Sequence, residues 1–344
     1  IPNPTSLANL GQAEEINFNV AREAVTLISP SPEDLKALLP SPPEMYDQII
    51  IFTDERTQRQ CSNCQLLYDL PNFAFQNTLL RLYGPSGSNQ ILANRLNSYT
   101  FKQLIDFLGG NTEGIDPYLS SNLNRAQWVI FNIKDLDPDL PETYALRRML
   151  AERFDLLREK KIIVFSYDAP YYLDATEISK LSAYYGLYSS SQAFIDVAAR
   201  VLMQEVQPTG SLPVSLPAVG YDLLVITSPD PNQVIPITLV SPREVPQSTP
   251  SGTETPTGGE TTPVPLFVVG ETVKIQAGVI HDHNQHIVPD GTVVQFTIRI
   301  AGDQAIIAQP QATTVDGIAT IEYRIERDGI FEVTASSEPA NTSG

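Results

Sequence analysis

Apolar residues in the first part of the chain follow two spacings. Ile16, Val20, Ala24 and Leu27 recur at helical intervals and predict an amphipathic helix over Glu14–Ile28. Asp47–Thr53 (DQIIIFT) is a continuous apolar run, the pattern of a strand buried on both faces. Asn72–Leu82 has a helical pattern. Asn97–Leu108 predicts a further helix, with Asn97 or Ser98 as N-cap and Gly109 as terminator. Gln127–Ile133 (QWVIFNI) and Lys161–Tyr167 (KIIVFSY) predict two more buried strands. Between them, Pro141–Glu159 places Leu146, Met149, Leu150, Phe154 and Leu157 on one stripe of a long helix. Further helices are predicted from about Thr176 to Tyr184 and over Ser191–Val206. Alternating strands and helices imply a three-layer α/β/α sandwich, a mostly parallel sheet with helices on both faces. Such sheets present ligand-binding loops at the carboxyl ends of their strands.

Later in the chain the period changes to two. Val273, Ile275, Ala277 and Val279 alternate with polar residues. The same holds for Val294–Ile300, for Ala319–Ile325 and for Phe331–Ala335. Turn signals such as Pro289-Asp290-Gly291, Asp316-Gly317 and Asp328-Gly329 separate these runs, which predicts an all-β sandwich. Between the two patterns lies Ser241–Pro265, dominated by Pro, Thr, Ser and Gly, with nothing that could bury a hydrophobic face. The expected organisation is an α/β domain over 1–240, a linker over 241–265 and a β-sandwich over 266–344.

Composition narrows the function. The 344 residues carry 22 Lys and Arg against 40 Asp and Glu, a formal charge of −18. A nucleic-acid partner needs a basic footprint, so nucleic acid is excluded. Hydrophobic residues make up 42% of the chain, enough for real cores. No apolar run reaches the roughly 18 residues of a membrane span, so no transmembrane segment is expected in this chain. The acidic excess suits an extracellular or cell-surface protein kept soluble by charge. The chain starts at Ile1 without a signal-peptide pattern and trails off after a strand-like run, so it is expected to be a piece of a longer protein.

Residues 160–219 carry a more specific pattern. KKIIVFSYDAPYYLD, and then AYYGLYSSSQAFIDVAARVLMQEVQPTGSLPVSLP, resemble the C-terminal α/β domain of glycoside hydrolase family 3. The strongest piece runs from Ala198 to Pro217, with Ala199, Leu202, Glu205, Pro208, Gly210 and the stretch Leu212-Pro213-Val214-Ser215-Leu216-Pro217. Gln204 stands where the family usually has Gly. Ala21–Ile28 is similar to the helix that opens this domain, so the resemblance covers residues 1 to about 220. The absence of a long insertion is similar to the β-N-acetylhexosaminidase branch rather than the β-glucosidase branch. The resemblance implies a (β/α)8 barrel upstream that carries the nucleophilic Asp, and a His-Asp pair in the hexosaminidase branch. Neither motif is present here, and no residue of this chain is cast as catalytic. His286-Ile287-Val288-Pro289-Asp290-Gly291-Thr292 is similar to a hairpin of bacterial immunoglobulin-like domains, which implies an immunoglobulin-like fold for the second domain.

Several constellations have a functional and a structural interpretation. Cys61-Ser62-Asn63-Cys64 fits a local disulfide, two free thiols, or a redox or metal site. Two Cys alone cannot complete a structural zinc site. The loop Asp54–Cys64 follows the first buried strand, which places Asp54 and Arg56 at the sheet's carboxyl edge as substrate-rim candidates. Asp168-Ala169-Pro170-Tyr171-Tyr172 follows the third strand. Asp168 could bond a sugar hydroxyl and Tyr171 could stack on a pyranose, or the segment could be a tight turn packed between domains. His281, His283 and His286 could gather a metal or form a solvated turn, and their mixed faces favour the turn. Trp128 reads as core. No cofactor or metal is expected. The expected partners are the upstream barrel of the same parent chain and carbohydrate. The expected role is the non-barrel part of a secreted hydrolase acting on β-linked N-acetylhexosamine, inactive alone. The alternative is a non-catalytic surface protein that binds glycans or mediates adhesion.

Overall fold

The computed structural model describes residues 10–59, 61–111, 116–240, 267–302, 305–338 and 340–341. The chain divides into two compact units between Leu223 and Leu224.

The first unit is built on strands β1 (Thr26–Ser29), β2 (Ile49–Thr53), β5 (Leu96–Thr100), β6 (Trp128–Ile133), β7 (Lys161–Ser166) and β8 (Ala183–Gly186). Two short strands, β3 (Arg56–Gln58) and β4 (Leu67–Asp69), form a separate antiparallel hairpin. The main sheet has the order β1-β8-β7-β6-β2-β5. All pairs are parallel except β1 with β8. Every residue of β2 and β6 is buried, as expected of strands covered on both faces.

Alternation along these strands sorts side chains into two cores. Ile49, Ile51, Trp128, Ile130, Ile163 and Phe165 face one side. Helices α1 (Leu10–Ala24), α3 (Ala74–Tyr83) and α8 (Gln192–Leu202) pack there through Ala21, Phe75, Leu79 and Ala198. Ile50, Phe52, Val129, Phe131 and Val164 face the other side. Helices α4 (Phe101–Leu108), α5 (Leu119–Arg125) and α6 (Ala145–Glu152) cover it with Leu104, Leu123, Leu146 and Met149. Two short helices, α2 (Pro32–Leu38) and α7 (Ala175–Ile178), complete the unit. Each fully buried Leu, Ile or Phe contributes roughly 1.5–3 kcal/mol, so these two layers dominate its stability.

Four elements differ from the sequence pattern. Asn97–Leu108 is not one helix: its first residues belong to β5, and the helix starts at Phe101 with Thr100 as cap. Parallel pairing of Ile49–Thr53 with Leu96–Thr100 overrides the local pattern there. The helix predicted at Glu14–Ile28 is Leu10–Ala24, and Leu27 and Ile28 lie in β1. Its inner face holds Ala21, while Ile16 and Val20 of the predicted stripe are exposed. The stripe failed because the smaller Ala21 permits close approach to α8, and apolar residues occupy both sides of this helix. Pro141–Glu159 breaks into a 3₁₀ turn at Pro141–Tyr144, α6, and a second 3₁₀ turn at Phe154–Leu156. Arg153, at φ −136° and ψ 38°, ends α6. Thr176–Tyr184 is a single helical turn followed by β8, where buried Tyr184 and Tyr185 suit a strand.

The second unit contains β9 (Ile237–Val240), β10 (Thr272–Ala277), β11 (Val293–Ile300), β12 (Ile306–Ala308), β13 (Gln311–Val315), β14 (Ile318–Arg324), β15 (Phe331–Ser337) and β16 (Ala340–Asn341). All pairings are antiparallel, in the order β16-β15-β11-β13-β14-β10-β9 with β12 beside β11. β10 and β11 are not neighbours in this order, yet Val273, Ile275, Val294, Phe296 and Ile298 share one core, so the array curls on itself.

The run Ser241–Pro265 lies outside the described residues. Its flanks are informative, because β9, just before it, pairs with β10, just after it, with Val240 opposite Lys274. Residues 224–240, which the sequence pattern assigns to the α/β domain, therefore fall in the second unit. Ile235 explains why: it is 1% exposed in the second unit's core.

Candidate functional site

The chain passes from β2 to β5 on one side, then returns to pair β6 on the other side of β2. The connections therefore diverge at the carboxyl ends of β2 and β6, where α/β sheets form crevices. The β2–β6 ladder continues one residue past β2, with the Asp54 N–H donating to the Asn132 carbonyl at 2.9 Å. Below it, the Asn132 side-chain amide donates to Thr53 Oγ1 at 3.3 Å. This polar floor fixes where each loop leaves the sheet.

A connected set of charges sits on that floor. Asp54 is 1% exposed. Arg56 grips it with two donors, Nη2 to Oδ2 at 2.8 Å and Nε to Oδ1 at 3.3 Å. Arg56 Nη1 also donates to Asp135 Oδ1 at 2.5 Å, and its Nη2 to the Asp135 carbonyl. The adjacent residue, Lys134, donates to Asp69 Oδ2 at 2.5 Å and lies 3.3 Å from Asp168 Oδ2. Ser190 Oγ donates to the other Asp69 oxygen at 2.6 Å. Four carboxylates thus converge on two cations.

Electrostatics follows from burial and pairing. Burial pushes the Asp54 carboxyl above its usual range, against the pull of Arg56. Burial also works against the Arg56 charge, but Asp54 and Asp135 outweigh it and hold the guanidinium up. The two partners respond differently because Asp54 has one cation and almost no solvent, whereas Arg56 has two carboxylates. The pair is ionic, with its cost on the carboxyl side. Burial would raise Asp69, but the bonds from Lys134 and Ser190 outweigh it and hold it below the usual range. Lys134 is likewise raised, with Asp69 and Asp168 overcoming desolvation.

Arg56 and Asp69 face each other across the β3–β4 ladder. Each strand of this hairpin is therefore pinned to the Lys134–Asp135 pair. Toward its tip, Cys61 and Cys64 are joined by a disulfide, with Cα atoms 5.0 Å apart. Leu66, Leu67 and Tyr68 on the returning side are exposed. The arrangement is suited to holding a rigid projection at the sheet's carboxyl edge. Its carboxylates are engaged by cations or hydroxyls, which suits positioning better than proton transfer.

Asp54, Arg56 and Asp168 are thus brought into one network. Tyr171 is not part of it: it is 59% exposed in a separate shallow groove with Arg147, Asp174 and Ala218. Its neighbour Tyr172 is buried and donates to the Thr143 carbonyl. Lys134, Asp135, Asp69 and Ser190 are absent from the sequence-based candidates. Lys134-Asp135 directly follows the buried run QWVIFNI, so the logic that selected Asp54 would also have found it. Asp69 and Ser190 carry no comparable signal, because they reach the site only through the hairpin and the loop before α8.

In the second unit, His283 Nδ1 lies 3.1 Å from the Ser228 carbonyl. Asp282 is buried and accepts from the backbone N–H groups of Asn284 and His286, which organises the turn. Among the described residues no group of three His, Cys, Asp or Glu could hold a metal. No helix among them is long and apolar enough to cross a membrane. Trp128 is core, with its Nε1–H donating to Asp47 Oδ2 at 2.9 Å and Lys161 above its ring.

No family model and no curated protein matches the chain. Solved structures similar to it include a β-glucosidase from Listeria innocua in complex with gluconolactone, with TM-score 0.42 and 12% identity, covering 97% of this chain and 49% of that one. Another is a glycoside hydrolase family 3 β-N-acetylglucosaminidase from Paenibacillus sp., with TM-score 0.36 and 11% identity over 58% of this chain and 32% of that one. A third is a fungal multi-domain GH3 β-N-acetylglucosaminidase, with TM-score 0.40 and 16% identity over 70% of this chain and 22% of that one. The chain spans less than half the length of each of these structures. With TM-scores below 0.5, these likenesses carry no argument about what the chain does.

Proposed function

We propose that this chain is the C-terminal, non-barrel portion of a secreted or surface-attached glycoside hydrolase family 3 enzyme acting on β-linked N-acetylhexosamine. The observation that carries this reading is the structural work done by the residues of the Ala198–Pro217 motif. Ala198, Ala199 and Leu202 bury one face of α8. The Gly210 N–H donates to the Val25 carbonyl at 3.0 Å, and a Cβ at Gly210 would meet the Ala24 carbonyl oxygen at 2.3 Å. Leu212 and Leu216 then enter the opposite core. The motif is a strap that closes the sheet's helical layers, which gives its Ala, Gly and Leu positions a physical reason.

In this reading the parent retains anomeric configuration through a covalent glycosyl-enzyme, and its nucleophile lies on an upstream barrel. The present chain packs against that barrel and lends it the clamped hairpin after Asp54 and the Asp168 loop as rim. The second unit is an immunoglobulin-like spacer of bacterial type. Hydrolysis of p-nitrophenyl N-acetylglucosaminide by the purified chain tests the assignment of roles. No turnover above the blank is expected, and turnover would sink it. A glycan-array signal from the same chain would instead favour a non-catalytic glycan-binding protein.

A further inference from the structure

Helix α2 (Pro32–Leu38) is fastened to the first unit by very little. None of its seven residues is buried, and no other helix or strand lies close along it. Leu35, half-buried, and Leu39, buried just past its end, pack against the core. Ser31 and Asp34 bond only each other at its start. Among the described residues, the segment 31–43 makes no ion pair and a single hydrogen bond to the rest of the unit. That bond runs from Gln204 Nε2 to the Leu39 carbonyl, at 2.9 Å. Between α2 and the sheet lies a cavity of about 180 Å³. Leu35 and Leu39 line it from the α2 side, and buried Trp128, Ile163 and Tyr185 line it from β6, β7 and β8. Gln204 stands in its wall.

Gln204 reaches Leu39 from a costly backbone position. Helix α8 ends with Met203 as cap, and Gln204 follows at φ 58°. The Gln204 N–H donates to the Val201 carbonyl at 3.0 Å, and the Glu205 N–H donates to the Arg200 carbonyl at 2.8 Å. These are the paired bonds that close a helix through one left-handed residue, a place that favours glycine. A residue with a Cβ is strained there, and such strain persists where surrounding contacts offset it. Among the described residues, the bond to Leu39 is the one hydrogen bond that the Gln204 side chain makes. It ties the end of α2 to the end of α8 beside the cavity. The cavity is slightly larger than the roughly 150 Å³ that accepts benzene, so a molecule of one ring or smaller fits it. Its apolar walls, which include Val201 and Leu202, select a neutral one.

We propose that α2 is a lid over this cavity and that Gln204 is its latch. When the Gln204–Leu39 bond breaks, α2 lifts and a small neutral molecule reaches Trp128. Trp128 is the single tryptophan and is 1% exposed, so its fluorescence reports the opening. The test is quenching of the full chain at pH 7 by acrylamide, a small neutral quencher. Weak quenching of the parent is expected. Gln204→Glu keeps the side chain's size and loses its donor. Gln204→Gly removes the side chain and suits the left-handed position, so this variant keeps the fold. Each should raise the quenching constant about 5-fold, the factor for one lost hydrogen bond, while unfolding in urea stays a single cooperative transition. Parent-like quenching in either variant overturns the proposal. So does a rise in quenching that appears only as the variant unfolds globally in urea.

Discussion

Lys134 is the residue on which the charged site turns. Its side chain is 11% exposed, and its ammonium is shared by Asp69 and Asp168. Removing it by Lys134→Met leaves both carboxylates without their cation. The cost lies between the ~0–1 kcal/mol of a surface pair and the ~3–5 kcal/mol of a buried one, so a loss of about 1–3 kcal/mol in urea unfolding is expected. The single tryptophan, Trp128, is buried in the first unit and reports that transition by fluorescence. The pH dependence has a definite sign. Asp69 is depressed from 3.8, so its contribution is present above that value and is lost as pH falls through the folded one. Lys134 is raised from 10.5, so its contribution is present below that value and is lost as pH rises through the folded one. Lys134→Met should therefore flatten both limbs of the stability profile, and unchanged limbs would show that the pairing does not form. Asp54 and Arg56 were legible as candidates because they follow a buried apolar run. Their role as a clamp was not, because Asp135 and Asp69 meet them only in space.

At the scale of elements, two short segments decide how the first unit is wired. Thr100 caps α4 and forms a capping box with Gln103, marking the boundary where β5 becomes a helix. Thr100→Ala should cost about 1 kcal/mol, read as a lower urea midpoint at unchanged slope. The capping signal Thr-x-x-Gln is present in the sequence, but helical apolar spacing across Asn97–Leu108 hides it. Gly210 acts differently. Its space is closed by the Ala24 carbonyl, so Gly210→Ala must move backbone apart where α1 meets β1. A loss of about 1–3 kcal/mol is expected, as for other overpacked sites, and wild-type melting of that variant would show that the strap is not tight. Short strands such as β1 and β8 escaped the sequence pattern for a related reason. Four residues hold too little periodicity, and only pairing across the sheet makes them strands.

For the whole molecule, the position of the low-complexity run matters most. Its composition marks it as a place where no core can form, which suggests a tether between domains. β9 and β10 instead pair across it. A second unit expressed from Leu224 should therefore melt cooperatively. One expressed from Ser241 lacks β9 and the buried Ile235, and should lose at least ~2 kcal/mol, visible as a lower thermal midpoint. Equal midpoints would show that β9 adds nothing. The sequence by itself determined the alternation of buried strands and helices, the later two-residue period, the acidic charge and the strap motif. Each of these is written in local spacing or composition. Tertiary structure alone decided the strand order, the face of α1 that is buried, the partners of Lys134 and Arg56, and the unit to which residues 224–240 belong. Those outcomes depend on which distant surfaces meet, and neither spacing nor composition encodes that directly.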